Sequence, residues 1–435
     1  MEGSLSRTRP RIGFLPIGRI GNDALQQDYE AGKTLVHRLE AEVVESPLVW
    51  DQTAVLDSVA NLRASGIDIL IQYVLHGMSA VQQTLAGVKC GVPVVLWALP
   101  SNYSFPSCAS AVGDLRERGI RVRLLLAPSG DVSILQQLDL LARVAYTVVR
   151  LRNSRIGTLG GVFPNLSASH YHRDALAEKL GPETVHIPLV QLQRALSLVD
   201  ANGRVVDEQV ARLRSTYDVR TNDELLRNAA RFELALQALV NEHSLTALAM
   251  ECYTELVPLF GINPCLGFAK RDDSYLIACE GDVVAGTNML MVRYLTGIDP
   301  FMGDIYSLQD GILSLVHGAA PACLAANPES VVISEQAAPD SVGLKLQLAM
   351  CVPTFPLGEV TLSRLHGRAC DRLDLTKGEL VAQEAGERVK VYVRLSNPEG
   401  FLEHVSGNHY LLIPGDLRPH LKLLGEWLDL TVTEI

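Results

Sequence analysis

The chain lacks the marks of several common protein classes. Its eight cysteines form no CxxC pair, and most sit inside apolar runs, where a thiol behaves as a small hydrophobe. A structural zinc or a disulfide framework is therefore not expected, and a reducing cytoplasm is the natural compartment. Cations are in the minority, with 38 Lys and Arg against 49 Asp and Glu and a formal net charge of −11. That balance excludes a general polyanion binder, because nucleic-acid affinity rests on clustered cations. A metal, or a neutral or cationic small molecule, suits an acidic chain better, and a local basic pocket remains allowed. No long apolar run occurs: stretches such as Ile69 to Leu75 and Val92 to Leu99 fall well short of the roughly 20 residues needed to span a bilayer. Met1 to Arg11 has no apolar segment of the signal-peptide kind, so neither export nor a membrane is expected.

Familiar catalytic signatures are missing as well. Gly157 to Phe163 (GTLGGVF) is glycine-rich but contains no GxGxxG, and there is no GxxxxGK[ST], GxSxG or HExxH. The sequence shows no low-complexity stretch and no internal repeat.

What is present is alternation. With 435 residues, two or three domains are expected. In the first third, strands at Arg11 to Ile17, Glu42 to Val44, Ile67 to Val74 and Val92 to Leu99 alternate with helices. The helices are expected at Asp28 to Glu40, Thr53 to Ala64 and Ser79 to Val88, with a last one at Val132 to Asn153. Nearly all-apolar strands in such alternation imply a parallel sheet covered on both faces. A second unit begins at Arg155 to Gly161, with helix at Ala175 to Lys179, strands at Thr184 to Leu189 and Leu245 to Met250, and a long helical region over Val205 to Asn241. From about 325 short strands dominate: Val331 to Ser334, Leu344 to Leu348, Gly358 to Leu365, Glu379 to Gln383, Lys390 to Leu395 and Tyr410 to Ile413. These predict an antiparallel sheet or barrel. The expected organisation is thus α/β: two Rossmann-like parallel-sheet domains, 1–153 and 154–325, followed by a β-rich, barrel-like domain, 326–435.

The polar residues with chemical interest cluster late in the second unit. Tyr275 to Asp282 (YLIACEGD) reads as a strand ending in an acid, a glycine and a second acid. A carboxylate at the C-terminal edge of a parallel strand faces the crevice where α/β proteins bind ligands, which makes Glu280 a candidate. The bland alternative is a solvated turn acid. Asp304 in PFMGDIY and His317 in SLVHGAAP end what read as two further strands. Carboxylates with one or two imidazoles suit a divalent ion of the Mn²⁺ or Mg²⁺ type. His409, after a Ser-Gly-Asn turn, opens an apolar strand and is expected to be exposed at its end, as an imidazole ligand from the last domain. Glu251 and Glu255 follow a strand, and either could point into the same cleft. His404 reads as structural, and His170 and His172 (SHYH) as a polar loop at a pocket edge. Arg116 to Arg123 reads as an anion contact or, more simply, a solvated helix-to-strand edge.

In combination these motifs resemble the L-fucose isomerase and L-arabinose isomerase superfamily of metal-dependent aldose–ketose isomerases. CEGD, the apolar helix after it, FMGD and VHGAAP between Cys252 and Leu324 occur in the family's order. GEVTLS, SGNHY and PGDLR look like its C-terminal domain, while IGFLPIGR, VLHGMSAVQ and PVVLWALP are similar more diffusely. The resemblance implies Glu280, Asp304 and His409 as ligands of Mn²⁺ or of another divalent cation such as Mg²⁺ or Co²⁺. His317 matches a histidine that arabinose isomerases place at the metal. Asp304 matches the fucose-type aspartate; the arabinose enzymes carry a glutamate one position earlier, where this chain has Gly303. Arg19 matches an arginine that reaches a neighbouring subunit's pocket, and a homo-oligomer, trimer or hexamer, is implied.

The implied reaction moves one proton between C1 and C2 of a sugar or sugar derivative and another between their oxygens, through an enediolate. A divalent cation supplies Lewis acidity, and Glu280 and Asp304 serve as the proton-transfer pair. Other metal–enediolate chemistry, such as epimerisation or carbon–carbon bond transfer, is the alternative among enzymes. A non-catalytic sugar-binding protein is the alternative from another class.

Overall fold

The structure is a computed structural model and describes residues 9–77, 80–120, 122–270, 274–337, 346–384, 386 and 388–435. Several sequence expectations touch residues outside those described: Met1 to Thr8 of the N-terminal stretch, Met78 and Ser79 at one helix start, Arg121 in the Arg-rich stretch, and Leu344 and Lys345 in one strand. The chain divides into two units, Met1–Arg150 and Leu151–Ile435.

The first unit is built on five parallel strands: β1 (Arg11–Ile17), β2 (Glu42–Glu45), β3 (Ile69–Val74), β4 (Val94–Ala98) and β5 (Val122–Leu126). Their order in the sheet is β2-β1-β3-β4-β5. That order is the doubly wound, flavodoxin-like one. Every residue of β3 and β4 is buried, as a parallel sheet with helices on both faces requires. The first two helices start where short polar side chains meet free amides: Asn22 accepts from Leu25 N, and Asp51 from Ala54 N. Helix Ser104–Glu117 and strand β5 complete the alternation.

One helix, Val132–Arg152, is long and apolar enough to cross a membrane by length and composition, with half of that window buried inside the protein. Leu138, Leu141, Val144, Ala145 and Val148 lie on its buried face. Asp139, Arg143 and Arg150 interrupt it, a pattern of a core helix.

The second unit contains β6 (Arg155–Leu159), β7 (Glu183–Ile187), β8 (Asp218–Val219), β9 (Ala247–Met250) and β10 (Leu276–Cys279). Of these, β10-β9-β6-β7 form a second parallel sheet. The long polar region expected over Val205 to Asn241 is two helices, Gly203–Thr216 and Asp223–His243, with the two residues of β8 between them. After β10 comes helix Val283–Thr296, in which every residue from Val283 to Leu295 is buried. It is buried around its whole circumference because it packs on β9 and β10 on one side and on barrel strands on the other.

The remaining strands are β11 (Phe301–Gln309), β12 (Ile312–His317), β13 (Val331–Ala337), β14 (Gln347–Pro353), β15 (Gly358–His366), β16 (Arg372–Gln383), β17 (Val389–Leu395), β18 (His409–Pro414) and β19 (Thr431–Glu434). Six of them, β15-β18-β11-β12-β17-β16, close into an antiparallel barrel through the β15–β16 pairing, and β19 adds to β16 in parallel. The architecture is therefore parallel-sheet α/β with an antiparallel six-stranded barrel, the class the sequence implies.

Membership of the barrel differs from the sequence reading in two places. β11 and β12, read as part of the central α/β portion, are barrel strands. β13 and β14 pair with each other and, through β13, with β8, so they lie outside the barrel sheet. Short apolar runs look alike in parallel and antiparallel settings; β11 and β12 form a local hairpin around Asp310-Gly311, whereas the pairing of β11 with β18 is non-local.

Candidate metal centre

Two left-handed residues after β10 begin the site. Glu280 has φ +59° and Gly281 φ +71°. A bulky residue with positive φ is an uncommon, strained conformation that needs outside support. The support comes from the end of β9 and the loop after β6: Gly281 N donates to the Met250 carbonyl at 2.9 Å, and the Glu280 carbonyl accepts from Phe163 N at 2.9 Å. Gly281 is required here, since a Cβ would stand 2.0 Å from the Gly161 oxygen. The turn places Glu280 at the C-terminal edge of the parallel sheet, buried at 7% exposure.

Asp304 and His409 meet on adjacent strands of the barrel. They are directly paired residues of β11 and β18, and β12 on the other side of β11 carries His317 at its end. Asp304 thus lies within an antiparallel strand, not at the edge of a parallel one as the sequence suggested. His409 does open β18 but is buried, at 2% exposure, which corrects the expectation of an exposed strand end. Its strand lies between β11 and β15, so the helix and barrel cover it. Gly303 leaves no space for a side chain, because a Cβ would lie 2.8 Å from the Phe301 ring.

Glu280, Asp304, His317 and His409 each offer one ligand atom, and these four atoms all lie within 4.8 Å of one another. His409 Nε2 stands 3.5 Å from Glu280 Oε2 and 3.4 Å from Asp304 Oδ1. That nitrogen, and both nitrogens of buried His317, have no hydrogen-bond partner among the described residues. Buried imidazole nitrogens are costly to leave unpaired. Two carboxylates and two neutral imidazoles carry two negative charges and only oxygen and nitrogen donors. The set fits a divalent cation of the Mn²⁺, Mg²⁺ or Co²⁺ type in charge, donor chemistry and spacing.

The electrostatics follow from burial opposed by pairing. Burial pushes the Glu280 carboxyl up, but the attraction of the His409 and His317 rings outweighs it and the net shift is downward. The Asp282 carboxyl is also net lowered, burial being outweighed by His409, the Ala285 amide and Ser169. Burial lowers His317, against the pull of Asp304 and Glu280. For His409 burial is overcome by Asp282, Glu280 and Asp304, which raise it to about 10 in the metal-free protein.

Other candidates lie elsewhere. Glu251 is 1% exposed, and its carboxylate caps the following helical turn, accepting from Tyr253 N, Thr254 N and Thr254 Oγ1. Glu255, half-buried, accepts from Gly161 N at 3.3 Å beside the Glu280 turn. Arg19 belongs to the first unit, is exposed, and rests 5.2 Å from the Trp50 ring centroid, where β1 and β3 end. His170 and His172 are exposed, as a polar loop predicts. His404 is exposed, with Nδ1 3.0 Å from the Gly400 carbonyl oxygen.

Three residues at the site had no assigned role in the sequence reading. Asp282 accepts from His409 Nδ1 at 2.8 Å and from Ser169 Oγ at 2.5 Å. Asn408 Nδ2 donates to Asp304 Oδ1 at 2.7 Å. Only Asp282 left a local signal, an acid placed to cap an apolar helix; the partners of all three are more than 100 residues away.

No family model matches the chain. Among curated proteins it is similar to sulfoquinovose isomerases. That of Priestia aryabhattai is 25% identical over 293 residues, spanning 64% of this chain and 64% of the relative, so the match covers a little under two thirds of it. That of Alkalicoccus urumqiensis is 23% identical over 367 residues, 80% of this chain and 81% of the relative. That of Clostridium sp. (strain MSTE9) is 25% identical over 450 residues, 97% and 98%. Solved structures match poorly. A periplasmic solute binding protein from Actinobacillus succinogenes with bound D-allose covers 58% of this chain and 80% of its own, at 13% identity and a TM-score of 0.19. One from Bacillus halodurans with bound myo-inositol covers 68% and 92%, at 14% and 0.20. Scores this low carry no argument.

Proposed function

We propose that the chain is a metal-dependent aldose–ketose isomerase of the fucose isomerase-like superfamily, with sulfoquinovose, the sugar in its relatives' names, as first candidate substrate. The observation that carries the reading is the convergence of Glu280, Asp304, His317 and His409, with three imidazole nitrogens lacking hydrogen-bond partners among the described residues. The names of the sulfoquinovose isomerases support it. When bound at these residues, Mn²⁺ or another divalent cation supplies Lewis acidity to the C1 and C2 oxygens of the sugar.

The residues divide the remaining work. Glu280, buried and held ionised, takes the proton from the reacting carbon and returns it to the neighbouring one. Asp304 is the ligand most open to solvent, its side chain 31% exposed, and it faces incoming substrate. Asn408 occupies its Oδ1, which leaves Oδ2 to relay the hydroxyl proton. The buried imidazoles His317 and His409 close the inner side of the site and exclude water. None of the eight cysteines is in a disulfide, and a reducing cytoplasm is the compartment this reading assigns. A homo-oligomer is part of the same reading.

The test is incubation with sulfoquinovose and a panel of aldoses, with Mn²⁺, in D₂O, followed by NMR. Ketose formation with solvent deuterium at C1 or C2 is expected. No Mn²⁺ bound by elemental analysis and no ketose from any sugar would overturn the proposal.

A further inference from the structure

We infer that Asp282 is a positioning residue: it fixes the ring orientation and tautomer of His409 and thereby sets the metal affinity of the centre. This rests on the metal-binding reading above. The argument begins with valence. An ionised carboxylate only accepts hydrogen bonds. Asp282 Oδ1 accepts from Ala285 N at 2.8 Å, while Oδ2 accepts from Ser169 Oγ at 2.5 Å and His409 Nδ1 at 2.8 Å. Nδ1 must therefore carry the hydrogen, so a neutral ring presents its lone pair at Nε2, the atom that faces Glu280 and Asp304. A carboxylate on the far nitrogen of a ligating imidazole orients the ring and raises its basicity.

The positioner is itself immobile. Asp282 is 1% exposed and caps the buried helix Val283–Thr296. It stands two residues beyond Glu280 in the same left-handed turn, so one backbone feature places a ligand and the group that orients another. The backbone of His409 is held as well: its carbonyl accepts from Arg364 Nη1 at 2.5 Å, and it pairs with Asp304 on the adjacent strand.

Asn cannot replace Asp282 without conflict. If its oxygen keeps the helix cap, its amide faces Nδ1 and drives the hydrogen to Nε2, where no metal can bind. If its oxygen turns to His409, its amide meets the Ala285 N–H. A Ser at this position keeps the cap but is too short to serve His409 as well.

The experiment measures Mn²⁺ dissociation constants by EPR, melting midpoints, and the visible spectrum of the Co²⁺-loaded protein for the parent, Asp282→Asn and Asp282→Ser. Expected is a melting midpoint for Asp282→Ser near the parent's, with Mn²⁺ affinity down about 10–100-fold and altered Co²⁺ bands in both variants. The inference is overturned if the parent binds Mn²⁺ and Asp282→Ser binds it within about twofold of that value with an unchanged Co²⁺ spectrum. A parent that binds neither ion overturns the metal reading itself, a result distinct from equal binding by parent and variant.

Discussion

Gly281 and Gly161 touch through backbone alone: a Cβ on Gly281 would stand 2.0 Å from the Gly161 carbonyl oxygen. The contact locks the loop after β6 onto the turn that carries Glu280. Gly281→Ala adds both this clash and the cost of a side chain at φ +71°. We expect it to destabilise the protein by about 2–4 kcal/mol, read as a lower urea midpoint at unchanged slope, and to weaken Mn²⁺ binding.

Glu280→Gln keeps the shape of the side chain and removes its charge. Metal-dependent isomerisation is expected to fall by at least about 10²–10⁴-fold, with far-UV circular dichroism unchanged. Full activity in this variant would remove Glu280 from the mechanism.

Glu251 gives the opposite signature. Its carboxylate satisfies two amides and a hydroxyl at the start of a helical turn. Glu251→Ala is expected to cost about 1–2 kcal/mol of stability in a denaturant titration, with Mn²⁺ affinity preserved.

Metal addition and removal should register in stability. Mn²⁺ at about 100 times its dissociation constant is expected to stabilise the fold by about 2.7 kcal/mol, and a chelator to reverse the gain. The shift should vanish in a His317→Ala, His409→Ala double variant.

Within the barrel, Asp374 gives a pH-dependent prediction. Burial pushes its carboxyl up, but hydrogen bonds from His366 and Ser406 outweigh it and hold it below the ordinary 3.8. A depressed folded value means the contribution is complete above the ordinary value and lost as pH falls through the folded one. Asp374→Asn should therefore lower the melting temperature near neutral pH, with the gap to the parent closing below about pH 4.

The sequence made the elements legible more readily than their partners. Glu280 could be placed because its signal is local: an apolar strand, then an acid and a glycine. Asp304 was singled out, but its setting was not, because FMGDIY reads alike in a parallel edge and in a barrel strand. Antiparallel pairing with Val316 in the next strand and with His409, 105 residues away (409 − 304), distinguishes them. Ser169 was overshadowed by the histidines beside it, although it is the serine that reaches Asp282. Helix Ser104–Glu117 and strand β5 were missed, a polar helix start and a strand with an exposed end blurring both periodicities.

The barrel also fixes when the four candidate ligands can come together. β18, which brings His409, slots between β15 and β11 and is the last strand of the closed ring to leave the ribosome. Glu280, Asp304 and His317 all emerge far earlier, as an open set of acids and one imidazole. Under the proposed metal-binding role, a complete set of four donors exists only once β18 has been made and has entered the ring.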